Sequence, residues 1–240
     1  MIPESEEIPE DTALPEIHVQ VGDAGIALYA DEGITGEGTE TNPYVIRTAE
    51  QWSKVMGKNQ KNRYNGNLPF GVSKYIKLGA DIDLSGQSWE SRTLTAGLDG
   101  NGYELRGISQ PLFSVLNGTV KNLILSDVRI EGTGNQGAIA QTVGNENKAT
   151  IEKCYVSGSI TATGSNNSGV GGLIGAAQNA QGAPLTIENC VVNADITGKG
   201  SSLAGGLIGS VSNSDVVTIK KCIAMGTVST VEDKGSGGLV

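Results

Sequence analysis

The sequence predicts an all-β fold, a single-stranded parallel β-helix (solenoid) with a short N-terminal capping helix. Three observations carry this. The phrase Gly-Gly-Leu-Ile-Gly stands at Gly171 to Gly175 and at Gly205 to Gly209, and it begins again at Gly237-Gly238-Leu239-Val240. A second block, Ile-x-x-Cys, recurs between those phrases, at Ile151 to Cys154, Ile187 to Cys190 and Ile219 to Cys222. Self-similarity at a period of about 30–36 residues is the mark of a stacked array. The composition agrees, because 35 glycines with only 4% aromatic residues suit short strands and turns better than a helical globule.

In chain order, residues 1–33 read as an acidic, proline-spaced tail or linker. Glu4, Glu6, Glu7, Glu10, Asp11 and Glu16 alternate with Pro3, Pro9 and Pro15, which leaves too little apolar surface to form a core. Ile17, Val19 and Val21, then Ile26 and Leu28, alternate about a glycine turn. They suggest a small hairpin or the remnant of a preceding domain. Residues 34–240 form the repeat domain, with a capping region at 34–72 and rungs at 73–240. Thr48-Ala49-Glu50-Gln51 is a capping box, so a helix over about 49–56 is expected, with Trp52, Val55 and Met56 on one face to cover the first rung. Residues 58–72 are polar and irregular. Ile76 and Leu78, then Ile82 and Leu84, mark two strands meeting at Gly79-Ala80. Leu98-Asp99-Gly100-Asn101-Gly102 is a turn with residues suited to positive φ.

Each repeat then reads as strand, corner, strand. Apolar or small residues alternate after each cysteine, as in Cys154, Val156, Gly158 and Ile160. A period of two means one buried face. Ile and Cys are three apart and both inward, so the chain must turn at the polar pair between them: Glu152-Lys153, Glu188-Asn189 and Lys220-Lys221. The glycine phrase is expected to be the third strand of the coil. Weaker copies extend backwards. Val120-Lys121-Asn122-Leu123 takes the place of Ile-x-x-Cys, and the leucine slot is filled by Leu112, Ala138, Leu173, Leu207 and Leu239.

The run Gly36-Glu37-Gly38-Thr39 through Asn42-Pro43-Tyr44-Val45-Ile46-Arg47-Thr48-Ala49-Glu50-Gln51 resembles the opening of bacterial secreted GLUG-motif repeat proteins. Ala80-Asp81-Ile82-Asp83-Leu84-Ser85-Gly86 and the Gly-Gly-Leu-Ile-Gly copies extend the resemblance over residues 34–240. It implies a right-handed parallel β-helix on a bacterial surface, often in adhesin-like proteins. The motif also occurs beside the catalytic part of IgA-specific metallopeptidases. No catalytic residue carries over, because this chain has no His-Glu-x-x-His.

The candidate chemistry is thin. Cys154, Cys190 and Cys222, stacked one per rung, place the outer sulfurs roughly 9–10 Å apart, beyond the about 4.6 Å that two zinc ligands allow. A disulfide between neighbouring rungs has poor side-chain geometry, and the odd count leaves one thiol over, so buried free thiols acting as small hydrophobes are favoured. Asp81 and Asp83 lie about 7 Å apart on one strand face, a spacing usable for glycoside hydrolysis. With Ile82 and Leu84 inward, both carboxylates are expected in solvent. Calcium held by Asp81, Asp83 and Asp99 is the lesser alternative. His18, the only histidine, lies outside the array. No catalytic, cofactor or metal residues are therefore assigned.

The net charge of −9 argues against nucleic acid and anionic membranes. No apolar run spans a bilayer, and no signal peptide opens the chain. The chain stops mid-motif at Val240 and reads as a fragment. The expected product is a right-handed parallel β-helix of about five rungs, monomeric as an isolated domain. It is expected to be non-enzymatic and extracellular: an adhesin-like stalk or surface-recognition module. Small polar loops at 163–169, 197–204, 229–236 and 178–184 would contact glycans or host proteins. The alternatives are a carbohydrate-active enzyme, which three or more ionisable groups converging in a groove would favour, or an accessory domain of a larger secreted peptidase.

Overall fold

The computed structural model describes residues 33–56, 71–144, 148–164, 168–178, 184–200, 202–212, 216–231 and 235–240. The acidic tail, its expected hairpin and His18 lie outside these, as do Gly57 and 58–70 of the polar stretch. Residues 34–240 form one unit. That unit is a parallel β-solenoid of about five turns with one short helix.

The chain winds through four parallel sheets. Among the described residues, the first sheet stacks Tyr44–Ile46, Ile76–Leu78, Gly97–Asp99, Thr119–Lys121, Ala149–Glu152, Leu185–Glu188 and Val217–Lys220. The second begins at Ile82–Asp83 and Glu104–Arg106 and continues through the longer Ile124–Gly132, Tyr155–Ala162 and Val191–Gly198. The third holds Gln136–Gly137, Gly169–Gly171, Leu203–Gly205 and Ser236–Gly237. The fourth runs from Gly71–Val72 and Arg92–Leu94 through Phe113–Leu116 and Ala140–Val143 to Ile174–Gln178 and Ile208–Ser212.

In-register stacking puts like residues on like. Leu98, Val120, Ile151, Ile187 and Ile219 form one inward column. Leu125, Val156, Val192 and Ala224 form another. Burying an aliphatic side chain in such a column contributes roughly 1.5–3 kcal/mol. The corner expected between Ile and Cys is present, and its second residue takes a left-handed backbone in every copy: Asn122 (φ 51°), Lys153 (51°), Asn189 (56°) and Lys221 (51°). Leu123 is buried one residue beyond the corner, where the later coils carry cysteine, and its carbonyl accepts from Tyr155 as that of Cys154 does from Val191.

Two expectations need correcting. The glycine phrase is not a single third strand. Gly171 ends one strand, Ile174 starts the next, and Gly172-Leu173 is the corner between the third and fourth sheets. Glycine is needed at this corner for space: a Cβ on Gly172 would lie 2.5 Å from the Gly206 carbonyl oxygen, and one on Gly206 would lie 2.1 Å from that of Gly238. The leucine slot is also filled by Ile139 rather than Ala138. Gly137 pairs with Gly171 and Ala140 with Ile174, so Ala138 stands opposite the second glycine.

The helix, α1, spans Ala49–Met56 as its capping box predicts. The Gln51 amide donates to the Thr48 hydroxyl at 3.2 Å. The Gln51 side-chain oxygen accepts from the Arg47 amide, one residue before the cap, at 2.6 Å. Trp52, Val55 and Met56 are buried on one face, and Trp52 meets Trp89 edge-on with ring centroids 5.9 Å apart. Arg92, 1% exposed, closes the other end of the helix by donating from Nε to the Met56 carbonyl at 3.5 Å.

Candidate functional site

The coils change girth partway along. Ile76, Leu98 and Val120 follow one another at 22 residues, and the coils between them have no third-sheet strand. From Val120 to Ile151 the spacing is 31 residues, then 36 to Ile187 and 32 to Ile219, and each of these coils carries a third-sheet strand. The strand Ile124–Gly132 therefore pairs in register with the narrow coil through Ile124 to Ser126, whereas Val128 to Gly132 pair with the wide coil beyond and keep one further bond to the narrow coil, from the Arg129 amide to the Ile108 carbonyl at 2.9 Å. A bulge sits between these halves, with Asp127 in the left-handed region at φ 48°. The overhang leaves a ledge, and an open groove of about 400 Å³ lies on it.

Three layers build this groove. Trp89, Glu90 and Ser91 come from the loop before Arg92–Leu94. Ser109, Gln110 and Pro111 come from the equivalent loop of the next coil. The wide coil adds Ile130, Glu131, Thr133, Gln136 and Gln141. The side chains are held in place. Gln110 Nε2 donates to the Trp89 carbonyl at 2.5 Å, and Gln136, 3% exposed, donates from Nε2 to the Thr133 carbonyl at 2.8 Å. Ser91 Oγ donates to the Pro111 carbonyl at 2.7 Å. The ionisable side chains lining the groove are Glu90 and Glu131. Glu131 pairs with Lys199 at 3.2 Å. The charge of Glu90 supports the Arg92 guanidinium, whose pKa burial lowers.

The residues singled out from sequence do not gather here. Asp81 and Asp83 face solvent on the second sheet, with Ile82 and Leu84 buried beside them. Asp81 Oδ1 accepts the Glu104 amide at 2.9 Å, and Asp83 Oδ2 meets Arg106 Nη2 at 2.8 Å. The Ser85 hydroxyl and amide, then Arg106, hold the Asp83 carboxyl at about 2, below the usual 3.8. Asp99 accepts from the Asn101 amide and from Asn122 Nδ2 on the first-sheet side. Each carboxylate thus ties one coil to its own turn or to the next coil.

Cys154 and Cys190 are buried and Cys222 is half-buried, all as free thiols. Each thiol donates weakly to one carbonyl at its own corner and one in the preceding coil, as Cys190 does to Glu188 at 3.3 Å and to Ile151 at 3.7 Å. The Cys154 thiol is pushed up by its hydrogen bond with Cys190 and by burial. The polar loops divide between two corners. By the strands that flank them, 163–169, 197–204 and 229–236 connect the second sheet to the third and 178–184 connects the fourth to the first, with 165–167, 179–183, 201 and 232–234 outside the described residues.

The sequence reading missed the groove residues Glu90, Gln110, Gln136 and Gln141. The signal for them was the jump in column spacing after Val120, which sets the ledge.

Residues 90–158 match the family model described as the M26 IgA1-specific metallo-endopeptidase N-terminal region. Over 176 residues, 72% of this chain, the sequence is 31% identical to an immunoglobulin A1 protease of Streptococcus sanguinis. It is also 31% identical over 144 residues, 54% of this chain, to a protein of Evansella cellulosilytica named "Putative Gly-rich membrane protein". The chain spans 8% of the length of the first relative and 16% of the second. A crystal structure named as a "putative immunoglobulin A1 protease" from Bacteroides ovatus aligns with 85% of this chain and 86% of its own, at 18% identity and a TM-score of 0.49. No helix among the described residues is long and apolar enough to cross a membrane.

Proposed function

We propose that this chain is a non-catalytic accessory module of a larger extracellular bacterial protein similar to immunoglobulin A1 proteases. It would act as a rigid recognition stalk, and it would not carry out hydrolysis itself. The observation that carries this is the match of residues 90–158 to a region described as N-terminal in such peptidases, on a solenoid of repeated structural columns. The outward carboxylates support it as well, since Asp81, Asp83 and Asp99 are each engaged in tying turns and coils. An adhesin-like surface role is the broader form of the same reading.

The test uses the purified 240-residue chain. Incubated with human IgA1 or with soluble polysaccharides, it should yield no new fragment by mass spectrometry. Added in excess, it should slow cleavage of IgA1 by the Streptococcus sanguinis protease if the module contributes recognition there. Release of peptide or sugar fragments by the chain alone would overturn the proposal.

A further inference from the structure

We propose that the ledge groove between the narrow and wide coils is a binding site for a neutral oligosaccharide. This rests on the reading of the chain as a recognition module and names the site and the ligand class. The groove, at about 400 Å³, lies within the range of ligand clefts. Beside Glu90 and Glu131, its polar lining offers the amides of Gln110 and Gln141 and the hydroxyls of Ser109 and Thr133, while Gln136, 3% exposed, and Ser91, whose hydroxyl donates to the Pro111 carbonyl, back the wall. Amides and hydroxyls both donate and accept, as the hydroxyls of a sugar ring require.

The charge accounting favours a neutral ligand. Glu131 is met by Lys199 at 3.2 Å, and Glu90 interacts with the Arg92 guanidinium. Neither carboxylate calls for a cation from the ligand. The lining is also preorganised, because Gln110 and Gln136 are pinned by hydrogen bonds to Trp89 and Thr133 carbonyls. Holding polar groups in place before binding reduces the ordering cost on association. An extended peptide fits less well. Strand addition needs a free edge to pair with; the third-sheet strand at the ledge, Gln136–Gly137, offers two residues, and the overhanging edge of Val128 to Gly132 is already interrupted by the Arg129 amide donating to the Ile108 carbonyl at 2.9 Å.

The test titrates the full chain with lactose, N-acetyllactosamine, cellobiose and maltotriose at millimolar concentration. It follows ligand saturation transfer and the side-chain amide signals of Gln110, Gln136 and Gln141 by NMR. At least one sugar should bind and shift those signals. Gln141→Ala should weaken that binding about tenfold, and Ser109→Trp, which fills the mouth from an exposed position, should abolish it. Both substitutions avoid the inward columns, and an unchanged melting temperature confirms intact folding. No binding by any sugar overturns the site, as does binding unaffected by both variants, or shifts seen only with a cationic or peptide probe. Those failures leave the accessory-module reading standing. Hydrolysis of a bound sugar would instead sink that reading while keeping the groove.

Discussion

Asn189 turns the chain at φ 56°, where most residues are strained and asparagine is tolerated. Replacing it with alanine should cost about 1–2 kcal/mol, and replacing it with glycine much less, as read from urea unfolding midpoints. Lys153 and Lys221 occupy the same corner in neighbouring coils, so Lys153→Asn should raise the midpoint. Asp83 gives a pH-dependent counterpart. Its carboxyl titrates at about 2 when folded against 3.8 when free, held down by Ser85 and Arg106. A depressed folded value stabilises above the free value and is lost as pH falls through the folded one. Stability should therefore drop between about pH 4 and pH 2, and Asp83→Asn should flatten that limb in acid-unfolding curves.

Among the elements, the glycine corner shows best where sequence reading succeeds and where it stops. Its recurrence was plain, and so was the need for close packing. What single letters did not carry was that Gly171 and Ile174 belong to different sheets, since period-two patterning is the same on either side of a bend. The contacts separate the cases: Gly172 and Gly206 have no room for a Cβ, whereas Gly86 and Gly102, at positive φ, have open space around them. Gly172→Ala should thus cost about 1–3 kcal/mol by overpacking against Gly206 and Val192, measurable by thermal or urea unfolding. The helix α1 was legible to the residue because capping chemistry is local, with Thr48 and Gln51 three apart. Arg92 was not, because its buried place is set by the Met56 carbonyl, 36 residues earlier in the chain.

For the solenoid unit as a whole, burial falls off along its axis. The exposed large hydrophobic residues, among them Val216, Ile223, Met225, Val231 and Leu239, cluster in the last coils. The thiol column reports the same gradient, from buried Cys154 and Cys190 to half-buried Cys222, whose thiol burial still raises. Native chain at pH 8 should accept one equivalent of iodoacetamide at Cys222, more slowly than a free cysteine because burial raises that thiol. Cys154 and Cys190 should react only on unfolding, as peptide mapping would reveal. The thiol column was readable from sequence because each cysteine recurs at a fixed offset from an isoleucine. The groove was not, because it arises from a difference between coils rather than from any repeated phrase.

The change of girth after Val120 also separates two properties of the rod. Wide coils beyond the ledge can be added or removed as whole units, each altering reach by about 4.8 Å, while the ledge stays as built. A relative carrying more or fewer such coils would change in length, as a telescope does, while the cleft kept its place beside the narrow coils.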